Sequence, residues 1–130
     1  DLNFPGDLRH EAYCEDAFKY LDEHEGKYDL IVLDPPAFAK HRKALKNGLR
    51  GYTRLNVKGF EKIKPGGILF TFSCSQVVTK DNFRQAVFTA AAQAGRKVRI
   101  LHQLHQPADH PINIYHPEGE YLKGLVLYVE

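Results

Sequence analysis

Apolar and polar positions alternate between two rhythms along this chain. "YDLIVLD", Tyr28 to Asp34, is a near-continuous apolar run with β-branched residues. That is the pattern of a strand buried on both faces, as in a parallel sheet. From Lys43 to Lys64 the spacing changes to steps of three and four. Leu45, Leu49, Tyr52, Asn56, Gly59 and Ile63 then fall on one helical stripe. "KPGG", Lys64 to Gly67, stops that helix, and "ILFTFSC" is the next strand. Thr79 or Asp81 caps a further helix, whose stripe is Phe83, Val87, Ala90, Ala91 and Ala94. Gly95 stands where a left-handed residue closes a helix. "VRILHQLH" and "YLKGLVLYVE" give two last strands, joined by a Pro- and His-containing loop from Gln106 to Glu120.

The start of the chain is less regular. Residues 1–10 are polar, with Pro5 and Gly6, and read as a loop. Glu11 to Cys14 reads as a short strand. Asp16 then caps a helix through about Glu23 that buries Ala17, Tyr20 and Leu21.

Strands alternating with helices predict an α/β sheet, mostly parallel, with an antiparallel C-terminal strand pair joined without a helix. In open sheets of this class ligands sit beyond the carboxyl ends of the strands. Asp16, Asp34 and Cys74 each fall at or just after such an end.

A length of 130 residues predicts one domain spanning 1–130. A net charge of +2 says little about partners. Lys40, His41, Arg42, Lys43, Lys46, Arg50 and Arg54 do form a local basic cluster. Such a cluster could contact phosphates, although charge on a helix is more often a solvated face. No apolar run reaches the roughly 18 residues of a membrane helix. Cys14 and Cys74 have neither metal spacing nor a disulfide framework, which predicts reduced thiols in a cytoplasmic protein. There is no methionine, even at position 1, and the simplest expectation is a piece of a longer protein.

Two short motifs carry chemistry. In "LDPPAF", Leu33 to Phe38, two prolines end the strand and fix the backbone after Asp34. In "FSCS", Cys74 sits between Ser73 and Ser75 at the end of the next strand. "IVLDPPAF", "KPGGILFTFSCS" and "DHP…PEGEYLKGL" together resemble a class I S-adenosylmethionine-dependent RNA methyltransferase. The family most resembled is the PUA-linked one that makes 5-methylcytosine in large-subunit ribosomal RNA, and the match runs from Glu11 to Glu130.

The resemblance implies a Rossmann-like sheet of order 3-2-1-4-5-7-6 whose N-terminal strands are missing here, so that the chain begins at the third. It implies S-adenosyl-L-methionine as cofactor and ribosomal RNA as partner. It implies Cys74 as the nucleophile that adds to carbon 6 of cytosine, turning carbon 5 into an enamine-like carbon. Only a thiolate adds, so such a cysteine needs a nearby base or another source of activation. Asp34 would hold ring nitrogen 3 or the amino group and offset the charge built there.

Asp16, Asp34 and Pro35 become cofactor-side residues, and Pro36, Phe38 and Lys40 substrate-side residues. The competing readings are Asp16 as a helix cap, Phe38 as a core residue and Cys74 as a packed thiol. His110 and Lys123 read as structural. No Gly-x-Gly cradle is present, so the piece alone is expected to bind little cofactor and to turn nothing over. An open sheet edge would invite pairing with another copy. An exocyclic amino-group methyltransferase and a non-catalytic RNA-binding module stand as the alternatives. If one base is to touch both groups, Asp34 and Cys74 should lie within about 10 Å across a shared gap.

Overall fold

The computed structural model describes residues 10–130. The loop expected at residues 1–10 therefore lies, except for His10, outside the described residues. Helix α1 is Ala17–Glu23, strand β1 Tyr28–Leu33, helix α2 Leu45–Lys62, strand β2 Ile63–Ser73, helix α3 Lys80–Gln93, strand β3 Val98–Leu104 and strand β4 Lys123–Val129. Short 3₁₀ turns at Arg42–Ala44 and Pro117–Gly119 precede α2 and β4.

The four strands form one sheet in the order β1-β2-β4-β3. β1 and β2 pair in parallel, and β4 runs antiparallel to both β2 and β3. Three strands therefore point one way and the last opposes them. This is the 4-5-7-6 part of the expected order, with its antiparallel C-terminal pair.

Local signals explain most boundaries. The Thr79 side chain accepts from the Asn82 N–H, which starts α3. Gly95 closes α3 with φ of +66°, a conformation that glycine adopts without steric cost. "KPGG" does follow the end of α2, and it does so inside β2. Tyr28 aligns with Ile63 and Leu30 with Ile68, so the extra residues of β2 bulge from the ladder there. Gly66, at φ +83°, makes that bend.

One predicted strand is absent. Glu11 to Cys14 lies outside any strand, and β1 is the edge of the sheet. A strand persists only with a ladder partner, and no described strand stands beyond β1 to supply one. The edge itself is apolar on one side: Leu30 and Val32 are 56% and 55% exposed. Asp16 is accordingly a helix cap rather than the end of a strand, and of the residues the cap was to bury, Leu21 is buried while Ala17 is exposed.

The core lies on one face of the sheet. Ile31, Leu33, Leu69, Leu125, Leu127 and Val129 meet Leu55 and Phe60 of α2 and Phe83, Val87 and Ala90 of α3. Burying each large side chain contributes about 1.5–3 kcal/mol. Gly59 lets α2 approach closely, since a Cβ there would stand 2.9 Å from a Leu33 methyl and 3.2 Å from one of Leu69.

Candidate active site at the ends of β1 and β2

β1 stops at Leu33 because proline has no N–H to continue a ladder. Asp34 and Pro36 are exposed just beyond it. The chain then turns back into the core. The Phe38 N–H donates to the Tyr52 hydroxyl at 3.3 Å, and the Ala39 N–H to Ser75 Oγ at 3.3 Å. The Tyr52 hydroxyl and Ser75 Oγ are themselves 2.7 Å apart, and both residues are fully buried. Buried hydroxyls need partners, and these find them in each other and in the loop after β1. Two motifs distant in the chain are thereby tied to one helix.

Phe38 packs its ring against Tyr52, with centroids 4.7 Å apart and planes tilted 48°. It is half-buried, so its first task here is to anchor the loop. Lys40 is exposed.

Cys74 follows the end of β2 and is half-buried, between the fully buried Ser73 and Ser75. Its Sγ lies 3.9 Å from the Pro35 carbonyl oxygen, a long contact for a weak donor. Sheet alternation places the two motifs further. Leu33 is level with Thr71, both buried toward the helices, and Val32 is level with Phe70. Side chains alternate with a period of two. Asp34 and Cys74 thus continue the row of Val32, Phe70 and Phe72, on the face away from α2. The thiol comes up to the carbonyl of Pro35, the residue after Asp34.

β4 adds a residue whose surroundings the sequence did not reveal. Lys123 pairs with Ser73 across the ladder and is only 7% exposed. Its Nζ donates to the Ser75 carbonyl at 2.8 Å and to the Tyr121 carbonyl at 2.7 Å. Burial pulls its pKa down from the ordinary 10.5 to about 8, with Lys80 adding to the fall and negative charge at Cys74 opposing it. A lone lysine inside "YLKGLVLYV" was the available signal, because charged residues are almost never buried without partners.

The loop before β4 closes over the same end of the sheet. Gln106 Oε1 accepts from the Tyr121 N–H at 2.9 Å, and its Nε2 donates to the His110 carbonyl at 3.2 Å. The His110 ring bonds the Tyr121 hydroxyl. Gln76, just past Cys74, donates to the Glu118 carbonyl at 3.0 Å, and Lys80 pairs with Glu120 at 3.1 Å. His110 is thus a brace of the loop.

Asp16 sits apart, at the start of α1. Its Oδ1 accepts from the Lys19 N–H at 3.0 Å, which leaves the other oxygen outside the cap. α1 is fastened to α2 by the Lys58–Asp22 ion pair at 2.6 Å and by the Arg54 guanidinium 5.0 Å from the Phe18 ring centre. Arg54, one of the basic cluster, is therefore engaged with α1. Among the described residues no group of three His, Cys, Asp or Glu is placed to hold a metal, and no helix is long and apolar enough to cross a membrane. A hollow of about 600 Å³ lies between α3 and the sheet, lined by Arg84, Phe88, Arg96 and Ile100 among others, well away from both motifs.

Ribosomal RNA large subunit methyltransferase I of Tolumonas auensis is 47% identical over 116 residues, 87% of this chain and 29% of that protein. The protein of the same name from Shewanella denitrificans is 47% identical over 123 residues, 92% of this chain and 30% of that protein. This chain is homologous to part of ribosomal RNA large subunit methyltransferase I. It spans about 30% of the length of those methyltransferases. Among solved structures, SMU.776, described as a methyltransferase complexed with SAH, superposes with a TM-score of 0.71 at 23% identity, over 88% of this chain and 30% of that one. A SAM-dependent methyltransferase from Streptococcus mutans gives 0.70 at 22%, over 88% and 29%. These two share the fold of this chain. No family model matches the chain.

Proposed function

We propose that the protein carrying this chain methylates carbon 5 of a cytosine in large-subunit ribosomal RNA, with Cys74 as nucleophile and Asp34 as the group that holds the base. The observation that carries the reading is the approach of the Cys74 thiol to the Pro35 carbonyl, 3.9 Å away and one residue from Asp34. The relatives named as ribosomal RNA methyltransferases support the substrate class.

The chemistry follows from these side chains. The Cys74 sulfur bonds to carbon 6 of the ring, and the displaced electron pair makes carbon 5 nucleophilic. Asp34, exposed and beside the thiol's loop, hydrogen-bonds nitrogen 3 or the amino group and offsets the charge gathered there. Pro35 and Pro36 keep that carboxylate from swinging away, while Lys40 lies where a phosphate could be met. After transfer, solvent water acting as base takes the carbon 5 proton, the carbon 5–carbon 6 double bond re-forms, and the sulfur leaves with its electron pair as thiolate.

The cofactor proposed is S-adenosyl-L-methionine, which would supply an electrophilic methyl group. The donor set fits one edge of its site. Asp16 keeps one carboxylate oxygen outside its cap, suited to the adenine amino group, and Asp34 with Pro35 borders the side near the substrate. The glycine-rich cradle of the cofactor's amino acid part has no counterpart among the described residues.

The test is Cys74→Ala in the full-length protein, with nucleoside mass spectrometry of the ribosomal RNA. Loss of 5-methylcytosine is expected. Unchanged 5-methylcytosine would remove the nucleophile, and a product methylated on an exocyclic amine would replace the reaction. Asp34→Asn should slow transfer by about 10²- to 10⁴-fold without loss of fold, since Asp34 is exposed.

A further inference from the structure

We infer that Lys123 is a positioning residue for Cys74: from the helix face of the sheet its buried ammonium grips the Ser75 carbonyl and sets a positive charge one residue from the sulfur, stabilising the thiolate. The inference deepens the reading of Cys74 as nucleophile and rests on it.

Three observations converge. Lys123 is 7% exposed in a strand otherwise filled by apolar residues and glycine. A buried ammonium is costly unless something is gained or its hydrogens are matched. Two of its three donors are matched, by the carbonyls of Ser75 and Tyr121 at 2.8 and 2.7 Å. Neither acceptor carries a charge, so the ammonium has no carboxylate partner in these bonds. The residue it grips through Ser75 is the immediate neighbour of Cys74.

The second observation is electrostatic. Lys123 lies close enough to Cys74 for negative charge there to favour its ammonium, against the burial that disfavours it. The remaining charged groups do not replace this role. A small cleft of about 100 Å³ beside Lys123 is lined by Lys80, Asp81 and Arg84 of α3 and by His105 after β3. Lys80 is already paired with Glu120, and Lys80 and Arg84 are exposed to screening solvent.

The third is topological. Lys123 begins β4, and β4 is hydrogen-bonded to β2 through Ser73. Lys123 stands with Ser73 on the helix face and Cys74 on the other, so the ladder fixes the amine at the Ser75 peptide, one residue from the thiol. Rigid elements hold such geometry better than loops.

Thiol alkylation tests this without cofactor or RNA. The full-length protein would carry Cys14→Ser, and the modified residue would be read by peptide mass spectrometry. Iodoacetate is an anion and iodoacetamide is neutral, so the ratio of their rates reports the local charge. Lys123→Met should lower that ratio at Cys74, and slow iodoacetamide itself by about three- to tenfold at pH 7.5, the scale of one nearby unit charge in a high effective dielectric. Lys123→Arg should retain most of the rate, and Lys80→Met should change it less than Lys123→Met does. Equal rates and ratios for Lys123→Met and the parent, at comparable melting temperatures, would overturn the inference.

If Lys123→Met does not fold, the parent still decides. With both cysteines present, Cys74 should show a higher iodoacetate-to-iodoacetamide ratio than exposed Cys14, and a ratio no higher than that of Cys14 overturns the assignment. Failure of methyl transfer would leave these rates readable, so the two readings fail separately.

Discussion

The hydroxyl of Tyr52 and Oγ of Ser75 meet at 2.7 Å in the core, and each also receives a backbone N–H from the loop that follows Asp34. One buried pair therefore sets the distance between the two candidate catalytic loops. Tyr52→Phe should destabilise the protein by about 1–3 kcal/mol, because it strands the Phe38 N–H and half of the Ser75 bonding. Combined with Ser75→Ala, the double mutant should show coupling of about 0.5–3 kcal/mol in urea unfolding. Strict additivity would mean that the pair does not act as a unit.

Gly48 and Gly59 both lie in α2, and the same substitution should separate them. A Cβ added at Gly48 would stand 2.6 Å from the Ala39 Cβ and 3.1 Å from its backbone nitrogen. Neither neighbour can rotate away, so Gly48→Ala should cost about 1–3 kcal/mol and displace the loop that bears Asp34. At Gly59 the nearest atom is a leucine methyl at the end of a flexible side chain. There the gain in helix propensity, up to about 1 kcal/mol, offsets part of the crowding. Paired urea titrations should rank Gly48→Ala as the more damaging.

Lys123 also predicts a dependence of stability on pH. Its folded-state value, about 8, lies below the ordinary 10.5. Between these values the unfolded chain binds more protons than the folded one, so stability from this group rises as pH rises. Thermal melts of the parent should show such a rise between about pH 8 and 10.5, and Lys123→Met should flatten it. A fall through the same window, specific to Lys123, would contradict the burial of the amine.

Asp16 can be divided into its two roles. Serine caps a helix about as well as aspartate but carries no carboxylate. Asp16→Ser should keep the melting temperature of the parent and weaken S-adenosyl-L-methionine binding in calorimetry of the full-length protein. Asp16→Ala should lose both, with a cap cost of about 1 kcal/mol. Unchanged affinity in Asp16→Ser would leave Asp16 as a cap alone.

What could be read from the sequence follows the range of the forces involved. The run Tyr28–Leu33, the stripe from Leu45, the Thr79 cap and Gly95 are local patterns that became elements near their expected bounds, except that Ile63, expected to end the stripe of α2, instead opens β2. Asp-Pro-Pro and Ser-Cys-Ser were legible as motifs because proline and cysteine have few bland uses at strand ends. Glu11 to Cys14 failed as a strand because a strand depends on a neighbour, which local alternation does not report. The Tyr52–Ser75 bond was invisible for the same reason: 23 residues separate the pair, and neither residue type announces a partner. Lys123 was visible as an oddity, and only the fold showed its Nζ on the Ser75 carbonyl.

The position of β4 has a kinetic consequence. It follows β3 in the chain, yet it lies between β2 and β3 in the sheet. Until β4 inserts, β2 and β3 each offer an unpaired flank to solvent, and the thiol's strand lacks its second ladder. Inserting a strand between two others is a long-range event, slow compared with forming α2 or α3. During that interval the half-built sheet is open to capture by other chains. Refolding yield should therefore fall as protein concentration rises, and a synthetic peptide of residues 121–130 supplied in excess should lower that yield further by competing for the same slot.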